Sequence, residues 1–319
     1  MWRYIGKRLL WMIFVLIGVA FLIFTVMYFC PGDPAELILG STATQAELDE
    51  YREYLGLNDP YIVQLGRFLY QTFIKLDLGV SYTKKSAVIT EVLSRAPRTL
   101  TLGWTCMVLD VITGIPLGIM CALKRNSIWD RGVMIVAMVG VSMPGFWVAL
   151  MLVILFTSKL GWLPAYGIGT WKHWVMPIIA GSLAGVAMEA RSTRSAVLET
   201  VRADFVTTAR AKGLPERTVT YKHMLPNAML PIVGQIGHRF GAAIGGTVVI
   251  ETVFSFPGMG TYMTGGITSY DYPVVRGCVL VLSFFAAIAN LLVDISYAFL
   301  DPRIKAQYAM LGKGRKSKT

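Results

Sequence analysis

The sequence predicts an all-α integral membrane protein with six transmembrane helices and a small extracytoplasmic subdomain between the first and second. Three observations predict it. Hydrophobic residues make up 55% of the 319 and charged residues only 15%, where a soluble domain carries roughly 25% charged residues. Mean hydropathy is +0.56, and apolar runs of membrane-crossing length, about 20 residues each, recur six times. Lys and Arg collect in alternate connections, the sorting that marks the cytoplasmic face of a membrane protein. The formal net charge of +11 therefore reads as span-flanking charge and not as a nucleic-acid surface.

The first span follows Arg3, Lys7 and Arg8 and runs from Leu9 to about Phe29. It is too long for the core of a signal peptide and no Ala-x-Ala follows, so it predicts a membrane helix with its N-terminus inside. Residues 1–30 form this element and residues 31–98 the subdomain. The subdomain opens on the turn signal Pro31-Gly-Asp-Pro34 and carries Glu47, Asp49, Glu50 and Glu53 with short amphipathic patterns, as at Tyr61, Val63, Leu65, Phe68 and Leu69. Residues 99–300 hold the remaining spans. The second covers 99–123 and is interrupted at Thr113-Gly-Ile-Pro-Leu-Gly118; Lys124, Arg125 and Arg131 then mark a cytoplasmic turn. The third covers 133–156 and is broken at Ser142-Met-Pro-Gly145, because proline frees a carbonyl and kinks a membrane helix.

An outside loop follows, with an aromatic fringe of Trp162, Tyr166, Trp171 and Trp174. The fourth span, about 175–196, is the weakest; Gly181 and Gly185 are spaced for close helix packing, and Glu189, Arg191 and Arg194 mark its inner end. The fifth, 230–252, repeats glycine at 237, 241 and 245 and contains His238 and Arg239. A charge there is expensive and must find a cavity or a partner. An outside loop at 254–274 holds Phe256-Pro-Gly-Met-Gly260. The sixth span, about 275–300, carries Asn290 and Asp294, and a basic tail at 301–319 stays inside.

Between spans four and five lies a polar, basic stretch, residues 205–227. Ala209 to Lys212 are good helix formers, Gly213 can take the left-handed conformation that ends a helix, and Pro215 with Glu216 can open the next. Leu225-Pro226 is expected to close it. The reading is helix, glycine turn, helix. Its uses could be a solvated hairpin, a docking element for a partner, or a DNA-binding motif; apolar spans on both sides disfavour the last.

Chemistry-bearing patterns are missing. No phosphate-cradling loop occurs, since Gly312-Lys-Gly-Arg-Lys-Ser317 lacks the preceding glycine, and there is no H-E-x-x-H or G-x-S-x-G. Gly258-Met-Gly260 has no third glycine. Cys30, Cys106, Cys121 and Cys278 are scattered, and His173, His223 and His238 show no metal-ligand spacing. The chain does not read as an enzyme. A secondary transporter coupled through Asp110, Glu189, Arg239 and Asp294 is the runner-up, although the two halves show no repeat.

Thr207-Thr-Ala209, Gly213 and His223-Met-Leu-Pro226 fall at the spacing of the E-A-A, three residues, glycine, nine residues, I-x-L-P signature. The stretch thus resembles the EAA loop of inner-membrane permeases of binding-protein-dependent ABC importers. Thr207, Thr208 and His223 depart from it; Ala209, Gly213, Leu225 and Pro226 keep it. Thr208-Ala-Arg-Ala-Lys-Gly-Leu214 is similar to the dipeptide/oligopeptide branch. So are Pro31-Gly-Asp-Pro34, Leu55-Gly-Leu-Asn-Asp-Pro60, Asp77-Leu-Gly79-Val-Ser81, Gly114-Ile-Pro-Leu-Gly118, Ser142-Met-Pro144 with Phe146-Trp147, Glu251-Thr-Val-Phe254 and Asp301-Pro-Arg303. Gly103 departs, standing where the branch often has Glu.

The resemblance implies a type I ABC importer permease fold, the first (B-type) subunit of a heterodimer with a second, related permease. It also implies two cytoplasmic ATPase subunits, which hold the ATP and Mg, and an extracytoplasmic solute-binding protein touching the 31–98 subdomain. No cofactor, metal or nucleic acid is expected on this chain, and no catalytic residue. The setting is a bacterial or archaeal inner membrane with both termini cytoplasmic. ATPase coupling falls to Thr207, Thr208, Ala209, Arg210, Gly213, Leu225 and Pro226 within a loop at 197–229. Pathway candidates, near the kinks and in the fifth span, are Pro144, Phe146, Arg239 and Glu251. The branch carries dipeptides, longer peptides, glutathione, opines or nickel complexes.

Overall fold

The computed structural model describes residues 2–30, 32–40 and 42–300. The expected basic tail at 301–319, with Asp301-Pro-Arg303, and the side chain of His238 lie outside the described residues. The helices are α1 (Trp2–Tyr28), α2 (Pro34–Leu39), α3 (Gln45–Leu55), α4 (Tyr61–Phe73), α5 (Val88–Leu123), α6 (Ile128–Ser142) and α7 (Gly145–Leu152), which runs into a π-turn at Val153–Lys159. Then come α8 (Lys172–Val201), α9 (Asp204–Ala211), the single turn α10 (Glu216–Thr218) with a π-turn at Val219–Met224, α11 (Leu225–Val253), α12 (Met259–Thr268) and α13 (Tyr272–Leu300). Among the described residues, the bridge between Val80 and Ala87 is the isolated piece of extended pairing.

Three helical stretches, Ile5–Tyr28, Val88–Leu123 and Tyr272–Ile295, are long and apolar enough to cross a membrane, and α6 with Gly145–Lys159 makes a fourth as a pair bent by 102°. The bend falls at Met143-Pro144, where Pro144 caps α7 from an extended conformation. Helices α8 and α11, 30 and 29 residues long, occupy the fourth and fifth expected spans but do not meet the same measure of apolarity. They carry Glu189, Arg191, Arg194 and Arg239, and a helix facing protein or a cavity needs less apolar surface than one facing lipid.

Four expectations need correction. Helix α5 starts at Val88, eleven positions before 99, because Glu91 and Arg95 pair at 3.0 Å one turn apart and extend the helix beyond its apolar part. It also runs unbroken through Pro116. The outside loop at 254–274 contains α12. Leu225-Pro226 does not close a helix: α10, the π-turn and α11 are continuous. Pro226 lies just after the π-turn, whose wider winding accommodates a residue with no N–H to donate.

The chain divides into two compact units, residues 1–99 with 257–319, and residues 100–256. In the first, α1 packs on α13 and α4, and α12 on α13; Arg8 Nη1 meets Asp294 Oδ2 at 2.7 Å. Phe24 stacks on Phe68, and the Arg276 guanidinium lies 5.0 Å from the Phe68 ring centre. Helix α3 starts with a capping box between Thr44 and Glu47, whose hydrogen bonds lower the Glu47 pKa. Asp271 is 1% exposed and accepts from Ser81 Oγ (2.6 Å), Tyr82 N (3.1 Å), Thr83 N (3.1 Å) and Thr83 Oγ1 (2.9 Å), tying the loop before α5 to the start of α13.

In the second unit α8 is central, packing on α6, α7 and α11. Its glycines explain how close its neighbours come. A Cβ on Gly181 would lie 2.8 Å from Cys106 Sγ, one on Gly185 would overlap the Asp110 carboxylate, and one on Gly114 of α5 would lie 2.7 Å from Glu189 Cβ. Small residues on both helices let the backbones approach and leave room for polar groups between them. Gly103, where the resembled branch often has Glu, packs at 3.5 Å from Thr247 Cγ2.

Candidate functional site

Two features of the 100–256 unit carry chemistry or mechanics. The first is the α9 to α10 element. Val206 and Ala209, three apart on α9, are buried with Val219 and Met224 of the π-turn, Ala228 of α11, Val197 of α8 and Ala122 of α5. Leu214 and Leu225 pack partly against this core. Ala209 therefore serves internal packing, while Thr207, Thr208, Arg210 and Gly213 stay exposed. Gly213 has φ +75°, and a Cβ there would meet nothing within 4 Å. Its requirement is backbone geometry alone.

Across the turn, Arg210 Nη2 donates to Glu216 Oε1 at 2.5 Å. The pairing raises the Arg210 pKa, and the Arg210 guanidinium holds the Glu216 carboxyl below the ordinary carboxylate range. The element is thus clasped outside, packed inside and continuous with α11.

The second feature is a cavity of about 550 Å³ lined by α5, α7, α8 and α11. Its charged groups are Asp110, Glu189 and Arg239. Arg239 Nη2 meets Asp110 Oδ2 at 3.3 Å, and Nη1 donates to Glu189 Oε2 at 3.1 Å and to the Gly185 carbonyl at 3.2 Å. Gly185 contributes both an acceptor and the space into which the Asp110 carboxylate fits. The rest of the wall is largely apolar, with Leu102, Met107, Val111, Phe146 and Ile236. An intramembrane arginine is stabilised only by such partners.

Of the four pathway candidates, Arg239 and Phe146 line this cavity. Pro144 lines a separate shallow groove with Met138 and Trp147, and Glu251 is wholly buried and does not reach the cavity wall. Sequence reasoning did not assign Asp110 and Glu189 to Arg239; they stand 129 and 50 positions away, and no periodicity links them. Glu189, expected at an inner helix end, is 1% exposed. Arg194 instead pairs with Asp130 through Nε (2.6 Å) and Nη2 (2.8 Å). The usable signal was electrostatic: an arginine inside a span demands carboxylates on neighbouring spans. Among the described residues no group of three or more His, Cys, Asp or Glu is placed to hold a metal ion.

Comparison with known proteins agrees with this architecture. Residues 114–306 match the family model for the binding-protein-dependent transport system inner membrane component, and residues 1–103 match that for the N-terminal part of such membrane components. The dipeptide transport system permease protein DppB of Alkalihalophilus pseudofirmus is 38% identical, over 96% of this chain and all of that one. The glutathione transport system permease protein GsiC of Escherichia coli K12 is also 38% identical, over 96% of this chain and 99% of its own length. The Salmonella paratyphi A protein of the same name aligns equally well, at 38%. These relatives are transport permeases and not enzymes. The chain belongs to the inner-membrane permease family of binding-protein-dependent ABC transport systems.

Proposed function

We propose that this chain is the first permease subunit of an ATP-driven importer that moves small peptides across a bacterial or archaeal cytoplasmic membrane. The observation that carries the substrate class is the 38% identity, along nearly the whole chain, to a dipeptide permease and to glutathione permeases. Glutathione is itself a short peptide, so both relatives favour a peptide cargo over metal complexes. The partners are a second, related permease, two cytoplasmic ATPase subunits that bind the ATP and Mg, and a solute-binding protein that docks on the 31–98 subdomain. Both termini are cytoplasmic.

The geometry supports a coupling mechanism. The α9 to α10 element meets the ATPase through its exposed residues, Thr207, Thr208, Arg210 and the turn at Gly213. Because Ala209 and Leu225 lock it to its core and Pro226 lies in helix continuous with it, displacement of the element moves α11 as a rod. Arg239 rides on that rod, so ATPase closure shifts the guanidinium against Asp110 and Glu189 and reshapes the cavity. Phe146, half exposed on α7, narrows the same space; Pro144 fixes the bend behind it, and Glu251 lies buried farther along α11.

The test is uptake of radiolabelled dialanine by proteoliposomes containing both permeases, both ATPases and the binding protein. ATP-dependent accumulation is expected. Accumulation driven by an ion gradient without ATP, or failure of the chain to co-purify with an ATPase, overturns the proposal in favour of a secondary transporter.

A further inference from the structure

The Arg239 cluster is out of balance. Two carboxylates share one guanidinium, each giving it a single oxygen. The other two oxygens, Asp110 Oδ1 and Glu189 Oε1, are buried and have no hydrogen-bond partner of ordinary geometry among the described residues, with the buried Thr193 hydroxyl one helical turn from Glu189 as the nearby donor. Glu189 is 1% exposed. Among the described residues lining the cavity there is no second cation. With the groups ionised, the cavity holds one negative charge in excess, inside a membrane-spanning unit where uncompensated charge is costly. A purely structural ion pair would match charges and use its acceptors.

We propose that Asp110 and Glu189 form a subsite for the ammonium group of the cargo as it passes through the cavity. An ammonium carries three N–H donors and one positive charge. Two donors complete the idle oxygens and the ammonium's charge offsets the local excess beside the carboxylates, while the apolar wall receives the aliphatic part of the molecule. Arg239 holds the two carboxylates apart and oriented, so that neither collapses onto the other. The chemistry selects a small solute with a free amino terminus. The proposal rests on the peptide-importer reading for its cargo, but the selection is a property of this cavity and separable from the binding protein's own preference.

The experiment is equilibrium binding to the purified permease–ATPase complex, freed of binding protein and held in nanodiscs. The two probes are dialanine and lactyl-alanine, in which a hydroxyl replaces the ammonium. Wild type is expected to bind dialanine at least tenfold tighter. Asp110→Asn and Glu189→Gln are each expected to erase that preference, and Asp110→Glu to retain most of it. Equal binding of the two probes, a preference that survives both neutral variants, or no detectable binding of either probe overturns the proposal; a proton as the compensating cation would give equal binding. If Asp110→Asn weakens the fold, Glu189→Gln with the same two probes carries the test. ATP-driven dialanine uptake by the complete transporter is scored separately, so failure of the subsite is distinguishable from failure of the importer reading.

Discussion

Two buried carboxylate sites, one in each unit, show opposite ways of keeping a negative charge inside a protein. Asp271 is surrounded by four donors from one short loop, two backbone N–H groups and two hydroxyls. Both Asp271 oxygens are engaged, Oδ2 by three donors and Oδ1 by one, and its work is to hold residues 81–83. Asp110 and Glu189 face one shared guanidinium and leave an oxygen each without a partner among the described residues. Full engagement suits a structural joint, and spare capacity beside a cavity suits the proposed cargo subsite. The residue types are the same; the local supply of donors decides.

The largest expected effect breaks the second site. Arg239→Met removes the only cation among the described residues of the cavity lining and strands the buried Glu189 and the partly buried Asp110, a change that typically costs about 3–5 kcal/mol. A fall in the unfolding midpoint of the detergent-solubilised complex, with loss of uptake, is the outcome to look for. Asp271→Ala sharpens the contrast by orphaning a set of donors, at about 1–3 kcal/mol for unsatisfied buried groups. Faster hydrogen exchange confined to the 79–88 loop is expected, with the cavity's probe preference unchanged.

Gly213→Val touches neither carboxylate site and asks whether the second is driven. Left-handed backbone costs a side chain about 1–2 kcal/mol, and no clash adds to it. Uptake per ATP hydrolysed should collapse while the complex remains assembled; Gly213→Asn, which tolerates that backbone region better, should be milder. Wild-type uptake by the valine variant contradicts the coupling role of the element.

The smallest effect concerns a third, exposed carboxylate, Glu216. Its pKa is lowered by Arg210, so the clasp contributes above the ordinary carboxylate pKa and is lost as pH falls through the lowered value. Glu216→Gln should therefore loosen residues 210–216 slightly at neutral pH and remove the further, acid-dependent loosening seen in the wild type, both read by hydrogen exchange across pH 4.5.

Much of this was legible in the sequence because it is local. Periodicity located the long helices, Pro144 announced the bend, and Gly213 announced the turn through the one backbone conformation it alone takes cheaply. The continuity of α10 into α11 was not legible: Leu225-Pro226 looks like a helix end, and only the adjoining π-turn lets the helix run through it. Asp110 and Glu189 were hidden for a different reason. Their meeting with Arg239 depends on glycines at 114 and 185 drawing α5 and α8 together, and side-chain pairing across three helices leaves no spacing to read. Arg239 itself announced the need for partners without saying where they stood.

The difference between the two sites is tested most directly by measuring dialanine uptake per folded transporter for Asp110→Asn and Asp271→Asn side by side in proteoliposomes. The expected result is a loss of at least tenfold in Asp110→Asn with little change in unfolding midpoint, and a lowered midpoint in Asp271→Asn with uptake per folded transporter preserved. Preserved uptake in Asp110→Asn, or its loss in a fully folded Asp271→Asn, would contradict the assignment of cargo binding to one carboxylate site and structure to the other.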